Sequence, residues 1–136
     1  MCGIVAYIGK EHPENLIIEG LQRLEYRGYD SAGIMLANTD EYSITKVAGK
    51  VDTLKEALRE KATSNMQIGM GHTRWATHGK PTEGNAHPHV SQNGDLVLVH
   101  NGIIENYNSL REELTNRGYS FQSETDSEVL LNLIED

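Results

Sequence analysis

The sequence holds a single cysteine, and it stands second, behind Met1 and ahead of the apolar run Gly3-Ile4-Val5-Ala6-Tyr7-Ile8. If Met1 is removed, Cys2 carries a thiol and a free α-amino group on one residue. An α-amino group titrates at roughly 7.7–8.0, so it can accept a proton near neutral pH. A free thiol with a pKa of about 8.5 is mostly protonated there and needs such a base to act as a nucleophile. On position alone, Cys2 reads sooner as a small buried apolar residue opening a strand, and it is the rest of the chain that favours the nucleophile.

Four further segments are rich in polar residues: Glu25 to Gly33, His72 to Gly79, Asn85 to His89 and Val99 to Asn106. Arg74, at a strand end, has the planar fork that clamps a carboxylate, although a surface arginine fits the same pattern. Asn101-Gly102 is either a tight turn or a side-chain amide beside a backbone N–H, the two donors of an oxyanion hole. Asp126 falls in the first turn of a predicted helix, where a carboxylate suits the helix dipole; as a binding group it would pair with an ammonium. His87 and His89 lie two apart in a loop with no cluster of thiols or carboxylates, so no metal site is expected. His78 and His87 read better as orienting or binding groups. A papain-like pairing of Cys2 with a distant histidine is a further option that the spacing does not select.

The elements that must position these residues follow from periodicity. Gly3 to Ile8 is almost continuously apolar, the pattern of a strand covered on both faces. Glu14 to Tyr26 has apolar residues at helical spacing, with Arg27-Gly28 as the stop. Ala32 to Ala37 and Tyr42 to Ala48 predict a hairpin about the turn Asn38-Thr39-Asp40. Leu54, Ala57 and Leu58 mark a short helix to about Lys61. Met66 to Trp75 is a strand in which Gly69 and Gly71 predict close approach by another backbone. Ala76 to Gln92 has almost no periodicity and reads as a long loop, either functional or disordered. Asp95 to His100 is a further buried strand, and Ile104 to Gly118 contains a helix. Tyr119 to Gln122 is a last short strand, and Thr125-Asp126-Ser127-Glu128 is a capping box that opens another helix.

Twelve basic against twenty acidic residues leave a net charge of −8, which argues against nucleic acid or an anionic membrane as partner and favours a small molecule. No basic leader or apolar run of about 20 residues predicts a signal peptide or a membrane-spanning helix, so a cytoplasmic location is expected. The lone cysteine fits a reducing compartment. One domain is expected over the 136 residues, continuing past Asp136 because the last helix has no stop signal.

Together, Cys2 to Val5, Arg27 to Gly33, His72 to Gly79, Asn85 to His89, His100 to Asn106 and Thr125 to Glu128 resemble the N-terminal glutaminase domain of the glutamine–fructose-6-phosphate aminotransferases, class II glutamine amidotransferases. The related amidophosphoribosyltransferases share the order of motifs but differ at Tyr29 and at Trp75-Ala76-Thr77-His78. The resemblance implies an α+β fold, the four-layer αββα sandwich of N-terminal-nucleophile hydrolases, incomplete at its C-terminus. It also implies that Cys2 attacks the glutamine carboxamide with its own amine as base, while Asn101 and the Gly102 N–H hold the oxyanion. Arg74 would bind the α-carboxylate and Asp126 the α-ammonium, with Trp75, Thr77 and His78 shaping the pocket and Arg27, Gly28 and His87 supporting it. No cofactor is implied. The expected partners are L-glutamine and two sugar-isomerase domains that bind fructose 6-phosphate and receive the ammonia, in a homodimer. Two alternatives stand beside this: the amidophosphoribosyltransferase branch, and a catalytically silent glutamine-binding module in which Cys2 is structural.

Overall fold

In a computed structural model the described residues are 1–61, 63, 65–76 and 79–136. Six strands and four α-helices follow one another as β1 (Gly3–Ile8), α1 (Pro13–Leu24), β2 (Ser31–Ala37), β3 (Tyr42–Ala48), α2 (Val51–Arg59), β4 (Ile68–Arg74), β5 (His89–Val90), β6 (Val97–Leu98), α3 (Tyr107–Asn116) and α4 (Asp126–Glu135), with a 3-10 turn over Glu25–Arg27. Strands β1-β4-β2-β3 form one antiparallel sheet in that order, and β5-β6 form a second, two-stranded one. Helices α1 and α2 cover one face of the large sheet, α4 packs on β5-β6, and α3 packs on α4. The result is the α+β, α-β-β-α layering that the family resemblance implies, with a narrow second sheet.

Alternation along the strands sorts side chains between the two faces. Val5, Tyr7, Ala32, Ile34, Leu36 and Val47 face the helices and join Ile17, Leu21, Val51 and Leu54 in the main core. Val51, Leu54 and Leu58 lie on one helical face, so α2 starts three residues earlier than Leu54 implies. Gly69 and Gly71 let α1 sit close. A Cβ at Gly71 would lie 2.4 Å from Ile17 Cγ2, so what approaches is the helix's side chains rather than another backbone.

The opposite face of the sheet belongs to the site. Here Gly33 has no side chain, and a Cβ would lie 1.8 Å from the His87 carbonyl oxygen. That bare patch lets residues 85–89 lie flat on the sheet, buried, where the sequence shows only an aperiodic loop, and β5 forms within it.

Several boundaries differ from expectation for physical reasons. β1 is an edge strand, and its burial alternates: Ile4, Ala6 and Ile8 are exposed, Ile8 by 77%. An unbroken apolar run therefore does not mean two covered faces here. Helix α1 tightens into the 3-10 turn at Glu25, and Gly28 (φ +92°) ends it. The strand expected over Asp95 to His100 pairs only at Val97–Leu98 and is half-buried, and α3 begins at Tyr107. No strand forms at Tyr119 to Gln122, where side chains take the backbone donors. Ser120 N donates to Gln92 Oε1 at 2.7 Å and Gln122 N to Glu128 Oε1 at 2.8 Å. Thr125 caps α4 by accepting from Glu128 N at 3.3 Å, but the Glu128 carboxylate reaches back to Gln122, Ser123 N and Ser123 Oγ instead of closing a capping box on Thr125 N.

Gly33→Ala should therefore destabilise the fold by roughly 1–3 kcal/mol or more, because backbone rather than a yielding side chain occupies the space. Gly84, whose nearest neighbour to an added Cβ is Thr82 Oγ1 at 3.9 Å, is the control. Denaturant midpoints should fall for Gly33→Ala and stay close to wild type for Gly84→Ala.

Candidate active site

Strand register brings the predicted residues together. Gly3 pairs with Thr73, so Cys2, one residue before β1, lies beside the end of β4. The Trp75 N–H donates to Cys2 Sγ at 3.1 Å, and Sγ lies 3.5 Å from the Trp75 carbonyl. The Met1 ammonium donates to the Arg27 carbonyl at 2.8 Å, and Arg27 Nη2 lies 2.6 Å from Met1 Sδ. Gly28 lies under the Trp75 ring, where a Cβ would be 3.1 Å from Cε3. Trp75 itself is 53% exposed.

Arg74 ends β4 on the same face as His72 and is only 4% exposed, which excludes a surface role. Its guanidinium donates to the Lys80 carbonyl at 2.9 Å and to the Gly79 carbonyl at 3.4 Å, and Asp30 Oδ1 lies 3.9 Å from Nη1. Asp30 also accepts from Ala76 N, and Asn85 Nδ2 donates to the Lys80 carbonyl at 2.9 Å, so the arginine is held by a braced loop. Across the cavity, buried Asp126 opens α4 and accepts from Ile104 N at 2.8 Å, which fixes the segment after Gly102.

Asn101 and Gly102 lie exposed at the mouth. Asn101 Nδ2 donates to the Cys2 carbonyl at 3.2 Å, and Oδ1 is 2.7 Å from His72 Nε2. Beneath them His72 stacks on His87 with ring centroids 4.2 Å apart, and His87 lies 4.7 Å from His89. His87 Nδ1 accepts from His100 N at 3.3 Å, His100 Nδ1 meets Ser127 Oγ at 3.0 Å, and His89 Nε2 meets Thr125 Oγ1 at 2.8 Å. His87 and His89 are thus buried packing and hydrogen-bonding groups. Among the described residues, no three His, Cys, Asp or Glu side chains are grouped to hold a metal ion.

A cavity of about 470 Å³ joins these parts, a size typical of small-molecule sites. Cys2, Arg27, Arg74, Trp75, His87, Asn101, Gly102 and Asp126 all line it, while Gly28 acts from behind Trp75. Thr77 and His78 lie outside the described residues. Sequence reasoning gave no role to His72, His100 or Ser127, which also line it. Position 72 carried a usable signal, because a residue two before Arg74 in a strand shares its face.

Residues 58–136 match the family profile of the glutamine amidotransferase domain. The chain belongs to this family. It is 51% identical over 136 residues to the glutamine–fructose-6-phosphate aminotransferase (isomerizing) of Helicobacter pylori, covering 100% of this chain and 22% of that one. Against the protein of the same name from Synechocystis sp. it is 54% identical over 136 residues, covering 100% and 21%. The chain therefore spans about a fifth of the length of these curated relatives. The solved glutamine phosphoribosylpyrophosphate amidotransferase from B. subtilis, complexed with ADP and GMP, superposes with a TM-score of 0.78 at 30% identity, over 99% of this chain and 29% of that one. Among the described residues of this amidotransferase domain, no helix is long and apolar enough to cross a membrane.

Burial sets the electrostatics of the domain's histidine cluster. Desolvation lowers the pKa of His72 to about 4 and that of His89 to about 3, and pushes His87 lower still, with Arg74 opposing protonation of all three. For a group whose folded pKa lies below its unfolded value of about 6.5, the stabilising contribution is complete above 6.5. It is lost as pH falls toward the folded value, because the unfolded chain binds the extra proton. Stability should thus decline from about pH 6.5 toward 4, with a slope approaching about 1.4 kcal/mol per pH unit for each histidine. Denaturant unfolding across that range should show this decline, whereas a midpoint unchanged between about pH 7 and 5 would contradict the buried, neutral cluster.

Proposed function

We propose that this domain hydrolyses the side-chain amide of L-glutamine through a thioester on Cys2. The observation that carries the reading is the convergence on one cavity of Cys2, two neutral donors at Asn101-Gly102, a buried arginine and a buried aspartate. That is the complement of an amino acid whose amide carbon lies near the sulfur. Arg74 takes the α-carboxylate and Asp126 the α-ammonium, while Trp75 shapes the pocket. With Met1 removed, the Cys2 amine accepts the thiol proton and the sulfur attacks the amide carbon. Asn101 Nδ2 and the Gly102 N–H stabilise the resulting oxyanion. The amine then returns its proton to the departing nitrogen, ammonia leaves, and water hydrolyses the thioester to glutamate. Arg27 and Gly28 support the nucleophile and Trp75, and His87 supports the cavity floor.

The relatives' names and the identity of about one residue in two support a finer reading. In the whole protein the ammonia aminates fructose 6-phosphate, bound by sugar-isomerase domains, to give glucosamine 6-phosphate. That protein works as a cytoplasmic homodimer without nucleic acid, membrane or cofactor. An amidophosphoribosyltransferase role is less favoured, since that likeness falls to 30% identity.

With Met1 attached, the Cys2 nitrogen is a non-basic amide and the methionine lines the cavity. A full-length gene product held as Met1-Cys2 should therefore turn over glutamine at a small fraction of the rate of one beginning at Cys2. Equal rates by ammonia release would remove the amine as base. The same assay tests the acceptor, since glucosamine 6-phosphate should form when fructose 6-phosphate is supplied.

Arg74→Lys should raise KM for glutamine at least tenfold, because an ammonium cannot reproduce a two-pronged carboxylate contact. A glutamine analogue lacking the α-carboxylate should bind wild type and Arg74→Lys alike. A large remaining difference with that analogue would make Arg74 a structural residue.

A further inference from the structure

His72 lines the cavity, yet the proposed reaction gives it nothing to do. It sits in the middle of β4, paired with Ile4 on one side and Gly33 on the other, and is 1% exposed. Its Nε2 lies 2.7 Å from Asn101 Oδ1. Asn101 is exposed, and an asparagine amide can present its oxygen or its nitrogen in either direction. The Cys2 carbonyl settles that direction, because it can only accept, and the Asn101 atom 3.2 Å from it must be the NH2. Oδ1 then faces His72, and Nε2 must carry the proton. The other ring nitrogen agrees with this. Nδ1 is buried without a hydrogen-bond partner under the stacked ring of His87, a place that tolerates a bare lone pair far better than an unpaired N–H. The opposite tautomer would strand that N–H and set two acceptors face to face at 2.7 Å.

We propose that His72 is a positioning residue for glutamine hydrolysis: as the neutral Nε2–H tautomer it locks the Asn101 amide with its NH2 toward Cys2. One N–H of that group goes to the Cys2 carbonyl, and the second is held ready for the oxyanion. The inference rests on the reading of Asn101 as an oxyanion donor. Preorganisation is what makes such a donor effective, because an amide free to rotate must first be oriented in each turnover.

The test uses the full-length gene product beginning at Cys2. His72→Met fills the space without a donor, and His72→Gln restores an amide N–H near the Nε2 position. Asn101→Ala should lower kcat by roughly 10²–10³. His72→Met should lower kcat by at least about tenfold with KM little changed, and His72→Gln should recover most of the loss. The double variant His72→Met/Asn101→Ala should be no slower than Asn101→Ala alone, since both remove one interaction. If His72→Met does not fold, comparison of His72→Gln with the shorter His72→Asn replaces it, with only the glutamine expected to retain kcat. Nitrogen NMR of the wild type at neutral pH should show His72 protonated at Nε2. Unchanged kcat in His72→Met beside a slow Asn101→Ala, losses that multiply in the double variant, or a proton on Nδ1 would each overturn the proposal. Unchanged kcat in Asn101→Ala would instead overturn the oxyanion reading, and the role of His72 with it.

Discussion

The site exists because one position in the middle of the sheet has no side chain. The His87 carbonyl occupies the volume that any Cβ at Gly33 would need, so residues 85–89 rest directly on β2. From that contact follow the stacking of His87 on His72, the docking of His89 against the Thr125 cap, and the placement of α4 with Asp126 at its start. A second layer held even one side chain farther away would separate Asp126 and Asn101 from Cys2 and Arg74. The constraint is steric, and the chemistry depends on it.

Polar groups buried between the layers are tolerated because each is either neutral or braced. The histidines are held toward the uncharged form because burial removes the water that would solvate an imidazolium. The Arg74 guanidinium is braced by two loop carbonyls and the Asp30 carboxylate, which itself ties down Ala76. Arg74 and Asp126 therefore present opposite charges to the cavity from opposite layers, with the Asn101 amide on the same lining.

Much of this was legible in the sequence wherever a pattern had a single physical meaning. The β2–β3 hairpin follows from two apolar runs around an Asn-Thr-Asp turn, and Thr125 is the cap it reads as. Arg74 and Asp126 could be nominated because their side chains can take a carboxylate and an ammonium, and Asn101-Gly102 because an amide beside a backbone N–H can hold an oxyanion. Other features depended on partners that are remote in the chain. Six apolar residues in a row do not reveal that β1 is an edge, and β5 is too short to show a period. Tyr119 to Gln122 has strand composition, but Gln92 and Glu128 take its donors first. His72 escaped notice because its meaning lies in an asparagine 29 residues away.

The pairing of β1 with β4 runs without a break from Gly3–Thr73 to Ile8–Ile68. Because side chains alternate along a strand, a slip of one residue would turn the whole strand over and bury Ile4 and Ile8 in place of Val5 and Tyr7. The location of Cys2 is thus measured from inside the sheet outward, not from the chain terminus inward. Removal of Met1 would leave that register intact, while taking away the methionine's contacts with Arg27 and changing what the Cys2 nitrogen is bonded to. On the proposed chemistry, folding and activation are then separable: the first is written in the register, and the second in a single peptide bond.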